Sequence, residues 1–300
     1  LRMGTSGMTS QAYGARRNRE MQNLLYRSLT ASAGVALALM LLQMPVLNVA
    51  LLIMQPTPAV ASLASAYFGI CIWGAPAVLG LYSLTGWFLG LQNARYVAVF
   101  QNIVNICASL FFVFVLHAGV EGVAAGTLIA QYCGLLLSLF YCRRMHRRLG
   151  LGFSFSVREV MDRAALRRFF TVNRDIFLRT LCLVSVTLYF TSAGSRQGET
   201  ILAVNALLMQ YFTLYSYFMD GFAFAGEALA GKCFGAGDRD GLRNIIRSLF
   251  LWGGGVALCF TLLYAVGGSA FMRLLTNEGE VIAAASAYLP WVAAIPFAGL

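Results

Sequence analysis

Residues 28–94 read SLTASAGVALALMLLQMPVLNVALLIMQPTPAVASLASAYFGICIWGAPAVLGLYSLTGWFLGLQNA, without a single Asp, Glu, Lys or Arg. A bilayer-spanning helix needs about 20 consecutive apolar residues, so this stretch holds two, and Gln55-Pro56-Thr57-Pro58 breaks it. Working outward, residues 96–142 carry one charge, Glu121. Apolar runs of the same kind fill most of the chain. They predict the tail of one helix over Leu1–Tyr13, then spans over Thr30–Met54, Ala59–Leu91, Tyr96–Leu116 and Gly122–Cys142. Further spans are predicted over Phe170–Ala193, Ile201–Cys233 and Leu249–Phe271, with another opening at Ile282. The runs are continuously apolar and lack the alternation of a barrel strand. The fold class is therefore an all-α polytopic membrane protein.

Composition points the same way. The chain is 59% hydrophobic and 11% charged, against about 25% charged in a soluble domain, and its mean hydropathy is +0.71. A soluble domain, a disordered chain and a disulfide scaffold are excluded. A net charge of +10 could signal an acidic partner, but eight of the 22 basic residues lie between Arg143 and Arg168 and most others border apolar runs. The alternate connections Gly14–Leu29, Gln92–Arg95, Arg143–Arg168 and Gly235–Ser248 together hold sixteen Lys or Arg. The opposite set, Gln55–Pro58, His117–Glu121, Gly194–Thr200 and Met272–Val281, holds two. That asymmetry is the positive-inside bias of cytoplasmic loops. It places the first set in the cytoplasm, removes the case for a nucleic-acid partner, and makes the lipid bilayer of the cell's inner (plasma) membrane the expected location. The seven cysteines lie in or beside apolar runs without a Cys-x-x-Cys pair and read as small buried residues. His117 and His146 fall in separate predicted loops, so no metal site is expected.

The chain repeats itself. Tyr13-Gly14-Ala15 returns as Phe234-Gly235-Ala236, Asn23-Leu24-Leu25 as Asn244-Ile245-Ile246, and Ser65-Ala66-Tyr67 as Ser286-Ala287-Tyr288, always 221 residues on. Both copies leave the membrane on the cytoplasmic side at the Gly-Ala pair, so the repeat is parallel, a common plan of secondary transporters. The expected organisation is an N-terminal lobe over 1–142, a basic cytoplasmic loop over 143–168 and a C-terminal lobe over 169–300. Extending the repeat predicts two six-helix lobes, with the first and last helices outside this chain, which looks like a piece of a longer one.

Several motifs in this order carry a family resemblance. They are Gly4-Thr5-Ser6-Gly7, Gln11-Ala12-Tyr13-Gly14-Ala15, Gly86-x-x-x-Gly90-Leu91-Gln92, Gly122-Val123-Ala124-Ala125-Gly126-Thr127 and Gly235-Ala236-Gly237-Asp238. Together they resemble the multidrug and toxic compound extrusion (MATE) transporters. Asp220-Gly221-Phe222-Ala223-Phe224-Ala225-Gly226-Glu227-Ala228 and Asn173-x-Asp175-x-x-x-Arg179-Thr180 are most similar to their DNA-damage-inducible (DinF-like) branch. The resemblance implies two lobes rocking around a central cavity and exporting cationic or amphipathic small molecules in exchange for H⁺ or Na⁺. No cofactor is implied beyond that coupling ion, and a monomer is expected.

In that family a first-lobe helix carries Asn-x-x-x-Asp, followed 18 residues later by Thr, as part of a cation- or proton-binding cluster. The matching positions here are Asn105, Ser109 and Thr127. Ser109 replaces the carboxylate, and a Na⁺ site rests on hard oxygen ligands and charge. The resemblance therefore implies H⁺ before Na⁺. Asn105 and Thr127 equally suit interhelical hydrogen bonding, worth about 0.6–2 kcal/mol. In the second half, Asp220 and Glu227 lie inside a predicted span, where a carboxylate costs roughly 2.5–3.5 kcal/mol on insertion scales. They should face a cavity, pair, or hold a proton; the mid-span position of Asp220 predicts that it is the more desolvated. Asp175 and Arg179, four apart, predict a local ion pair. Tyr211 and Tyr215 are candidates to line a drug cavity by cation–π and apolar contact, or to pack.

The leading reading is a secondary antiporter for drug-like compounds, with a lipid-linked oligosaccharide flippase of related architecture as the alternative within transport. A membrane-embedded lipid-modifying enzyme would need cytoplasmic acidic metal ligands, and Asp238-Arg239-Asp240 is the one close pair of aspartates. With no P-loop lysine motif or hydrolase elbow, no enzymatic activity is expected.

Overall fold

Prolines, glycines and the aspartate caps Asp162 and Asp238 divide the apolar runs into helices. A computed structural model describes residues 1–54, 58–93, 97–115, 119–150, 156–195 and 199–299. In chain order the helices are α1 (Arg2–Gly14), α2 (Asn18–Leu41), α3 (Gln43–Met54), α4 (Pro58–Cys71), α5 (Ala75–Gly90), α6 (Val97–Leu110) and α7 (Gly119–Arg148). They continue as α8 (Val157–Val160), α9 (Arg163–Ser195), α10 (Glu199–Ala236), α11 (Arg239–Leu275), α12 (Gly279–Ser286) and α13 (Leu289–Ala298). No strand occurs among the described residues. Among the described residues six helices are long and apolar enough to cross a membrane, and α12 and α13 form a pair bent by 60° that counts as a seventh if it spans as one. The chain divides into two compact units, Leu1–Asn173 and Arg174–Leu300.

Breaks fall where a backbone donor is missing. The predicted span Thr30–Met54 is two helices, because Pro45 cannot donate to Leu41 and the ladder is interrupted at Leu42. Pro76 occupies the first turn of α5, where no donor is needed, after a 3₁₀ turn at Ile72–Gly74. Phe111–Val115 winds as a π-turn at the end of α6. Elsewhere helices overrun the apolar runs that predicted them. α7 continues to Arg148, so His146 is not in a loop: it is buried in the last turn, its Nδ1 3.0 Å from the Cys142 carbonyl. α11 opens at Arg239, ten residues before the predicted span, because Asp238 caps it by accepting from the Gly241 amide at 2.8 Å. The cysteines are also more exposed than their apolar setting suggested: Cys142 is buried, while Cys107, Cys182 and Cys259 are exposed.

The repeat extends to backbone conformation. Arg16 and Gly237, 221 residues apart, both take positive φ, 54° and 72°. Each turn closes with the same two hydrogen bonds. Arg17 N donates to Ala12 O at 2.9 Å and Arg16 N to Tyr13 O at 3.1 Å; Asp238 N donates to Cys233 O at 3.0 Å and Gly237 N to Phe234 O at 3.1 Å. This left-handed helix stop favours glycine. Gly237→Ala is expected to destabilise the second unit by about 1–2 kcal/mol, read as a lowered melting midpoint in detergent, whereas Arg16→Gly should not.

In the first unit α1 lies against α5. A Cβ at Gly86 would strike the Arg2 carbonyl, and one at Gly90 would come 2.6 Å from Thr9 Cβ and 2.8 Å from the Ser6 carbonyl. The Gly-x-x-x-Gly pair is thus a genuine contact face, with Thr5, Ser6 and Thr9 buried beneath it. Trp87 anchors the core: it is fully buried, donates from Nε1 to the Met21 carbonyl at 3.0 Å and stacks on His146 at 5.2 Å. Ser32 and Ser83 tie α2 to α5, their hydroxyls 2.6 Å apart. The second unit is built around aromatic rings of α10 and α11. Tyr211 packs edge-on against Tyr264 and Phe271, each at 4.9 Å. Tyr264 donates to the Tyr211 carbonyl at 2.8 Å, so each buried phenol has a partner.

Candidate functional site

In the first unit α6 and α7 bring Asn105 and Thr127 together. Asn105 Nδ2 donates to Thr127 Oγ1 at 3.4 Å, and both side chains are half-buried. Position 109 lies on α6, but the Ser109 side chain is outside the described residues.

In the second unit a cavity of about 450 Å³ opens among α9, α10, α11 and the end of α13. Arg179 of α9 enters from one side and Asp220 of α10 from another, while Phe212, Tyr215, Met219 and Phe250 supply apolar and aromatic wall. Asp220 is exposed on this cavity and Glu227 is half-buried, the reverse of the expected order. A Cβ at Gly221, beside Asp220, would meet nothing, whereas one at Gly226, beside Glu227, would lie 2.8 Å from Leu249 Cδ1. Glu227 does not line the cavity.

The two tyrosines separate. Tyr215 lines the cavity, held by donation to the Pro296 carbonyl at 2.9 Å. Both rings are buried, but Tyr211 does not line the cavity: its hydroxyl donates to the Gly268 carbonyl at 2.6 Å, and it packs in the aromatic core with Tyr264 and Phe271. The expected Asp175–Arg179 pair is also replaced. Asp175 accepts from its neighbour Arg174 at 3.0 Å, which leaves Arg179 directed to the cavity with Asp220. A carboxylate, a guanidinium and aromatic rings around one volume can hold an amphipathic molecule and exchange a proton with it. In the Asp238-Arg239-Asp240 segment, the Asp238 carboxylate is engaged as a helix cap, not held open for a metal.

Sequence reading missed one cluster. Glu159 of α8, in the basic stretch, accepts from Arg19 Nε at 2.8 Å, Arg19 Nη2 at 3.0 Å and Asn23 Nδ2 at 2.8 Å. Arg27 reaches past it to the Val160 and Glu159 carbonyls, both at 3.0 Å. The signal was a lone Glu among arginines at Arg158-Glu159. The hydrogen bonds from Arg19 and then Asn23 hold the Glu159 carboxyl down at about 2. A carboxyl lowered from its unfolded value, about 4.3, stabilises the fold above that pH and loses the contribution as pH falls toward 2. Melting in detergent between pH 5 and 3 should therefore fall less steeply in Glu159→Gln than in the parent.

The MatE family model matches residues 1–115 and 176–299. The chain is 36% identical over 303 residues to DNA damage-inducible protein F of Escherichia coli strain K12, covering all of this chain and 66% of that protein. It is 27% identical over 281 residues to Homo sapiens Multidrug and toxin extrusion protein 1, covering 88% of this chain and 45% of that one. The chain thus spans less than two thirds of the length of either relative. The Vibrio cholerae MATE transporter VcmN in its bent form superposes with a TM-score of 0.81 at 18% identity, over 99% of this chain and 67% of that one. The paired helical units, the Gly-stopped repeat and the match across both halves have one meaning: the chain belongs to the MatE family of multidrug and toxic compound extrusion transporters.

Proposed function

We propose that this chain forms the greater part of a secondary efflux antiporter of the inner (plasma) membrane, exporting cationic or amphipathic drug-like compounds in exchange for H⁺. The observation that carries the reading is Asp220, an intramembrane carboxylate opening with Tyr215 and Phe212 on a 450 Å³ cavity. A carboxylate placed there is expensive unless it binds a cation or a proton in turn. Asn105 and Thr127, which meet across α6 and α7, are assigned to a polar coupling cluster of the first half, to which the family spacing adds Ser109; with Ser in place of a carboxylate, that set has no fixed charge to hold Na⁺. Glu227, two turns beyond Asp220 on α10 and half-buried, is the second carboxylate of the proposed proton pathway. The two halves, 1–142 and 169–300, act as lobes about the basic segment 143–168.

The test is export by the full-length protein in cells lacking their own efflux pumps. Expression should lower accumulation of a fluorescent amphipathic cation such as ethidium, and collapsing the proton gradient with an uncoupler should abolish the difference. Unchanged accumulation of a panel of such cations would reject the substrate class.

A further inference from the structure

We infer that the outer face at the end of α7 is a binding site for the phosphate headgroups of anionic phospholipids. Ile129, Leu136 and Phe140 lie along one face of the helix and are 41%, 66% and 67% exposed, so this face is an apolar stripe that the described residues leave uncovered. Immediately beyond Phe140 the same face changes to Arg143, Arg144, Arg147 and Arg148, all exposed and lining one shallow groove with Phe140. At 3.6 residues per turn the five side chains fall within about 140° of arc. Met145 and His146, on the other side of the turn, are buried.

None of the four arginines has a hydrogen-bond or ion-pair partner among the described residues. The charges therefore await a counter-charge from outside the chain. The helix dipole accounts for cations in the last turn, Arg147 and Arg148, but it fades within that turn and does not call for Arg143 and Arg144. A loop-charge bias that sets topology needs Lys or Arg at any azimuth; here four cations share the arc that Phe140 marks. Guanidinium forks match phosphate oxygens two at a time, which lysine cannot do. The axial rise from Arg143 to Arg148 is about 7.5 Å, the depth of a headgroup layer of about 5–8 Å per leaflet. Phe140 marks the boundary below it, as aromatic residues do at membrane interfaces. A phospholipid with two phosphates, or two adjacent single-phosphate lipids, satisfies the four arginines.

The test uses the purified, delipidated full-length protein, titrated with diphosphatidylglycerol or with phosphatidylcholine and read by native mass spectrometry. Replacing all four arginines by Gln should cut diphosphatidylglycerol adducts about tenfold and leave phosphatidylcholine adducts unchanged. Because the fourfold change could disturb insertion, the double variants R143Q/R147Q and R144Q/R148Q are measured as well. Each keeps two cations at the helix end and should lose about threefold. Undiminished diphosphatidylglycerol adducts in the variants would overturn the site. So would heparin, a soluble polyanion, binding the parent but not the variants and displacing the lipid at equal concentration, since the face would then serve an acidic macromolecule.

Discussion

Asp220→Asn in the full-length protein is expected to reduce proton-coupled export roughly tenfold or more, within the 5–150-fold range of typical coupling free energies. The substitution keeps the shape and hydrogen-bonding capacity of the side chain and removes its exchangeable charge. Asp220 is exposed on the cavity, and Asn has nearly the same size and shape. Expression and melting should therefore stay at parental values while transport falls. Glu227→Gln is the contrast. Glu227 is half-buried beside the Gly226–Leu249 contact, so its loss should appear in stability before transport. Transport assays in parallel with melting curves separate the two. Parental export by Asp220→Asn across pH 6 to 8 would make Asp220 structural.

Gly90→Leu is expected to prevent accumulation of folded protein. Its Cβ would lie 2.6 Å from Thr9 Cβ and 2.8 Å from the Ser6 carbonyl. One of these is backbone of a packed helix and cannot rotate away. Overpacking a well-filled contact costs about 1–3 kcal/mol and more when helices must separate, and α1 has this α5 face as a principal support. Gly34→Leu tests the same residue change on α2, where a Cβ meets nothing within 4 Å; it should express and melt like the parent. Equal yields of monodisperse protein for both variants by size-exclusion chromatography would contradict the α1–α5 packing.

What the sequence disclosed and what it hid divide along physical lines. The order of the apolar helices was legible because hydropathy reports the bilayer directly; among the described residues six are long enough to span, or seven with the bent pair, and α6 is not one of them. Helix ends were not, because backbone hydrogen bonding continues into water where hydropathy stops. Hence α7 runs to Arg148 and α11 begins at Arg239 under the Asp238 cap. The Asn105–Thr127 approach followed from the spacing the family resemblance supplied. The Asp175–Arg179 pair did not form, since four-residue spacing permits a pair without choosing it over the neighbouring Arg174. Tyr211 and Tyr215 are one turn apart and chemically identical. Only packing separates the core ring from the cavity ring. The Glu159 cluster joins residues about 140 positions apart, which no local pattern encodes.

The most direct test of the account is proton movement by the full-length protein in liposomes carrying a pH-sensitive dye inside. With a pH gradient imposed and no Na⁺ present, adding an amphipathic cation should dissipate the gradient, and Asp220→Asn should abolish the response. A gradient that persists until Na⁺ is supplied, with substrate flux then following the Na⁺ gradient, would contradict proton coupling.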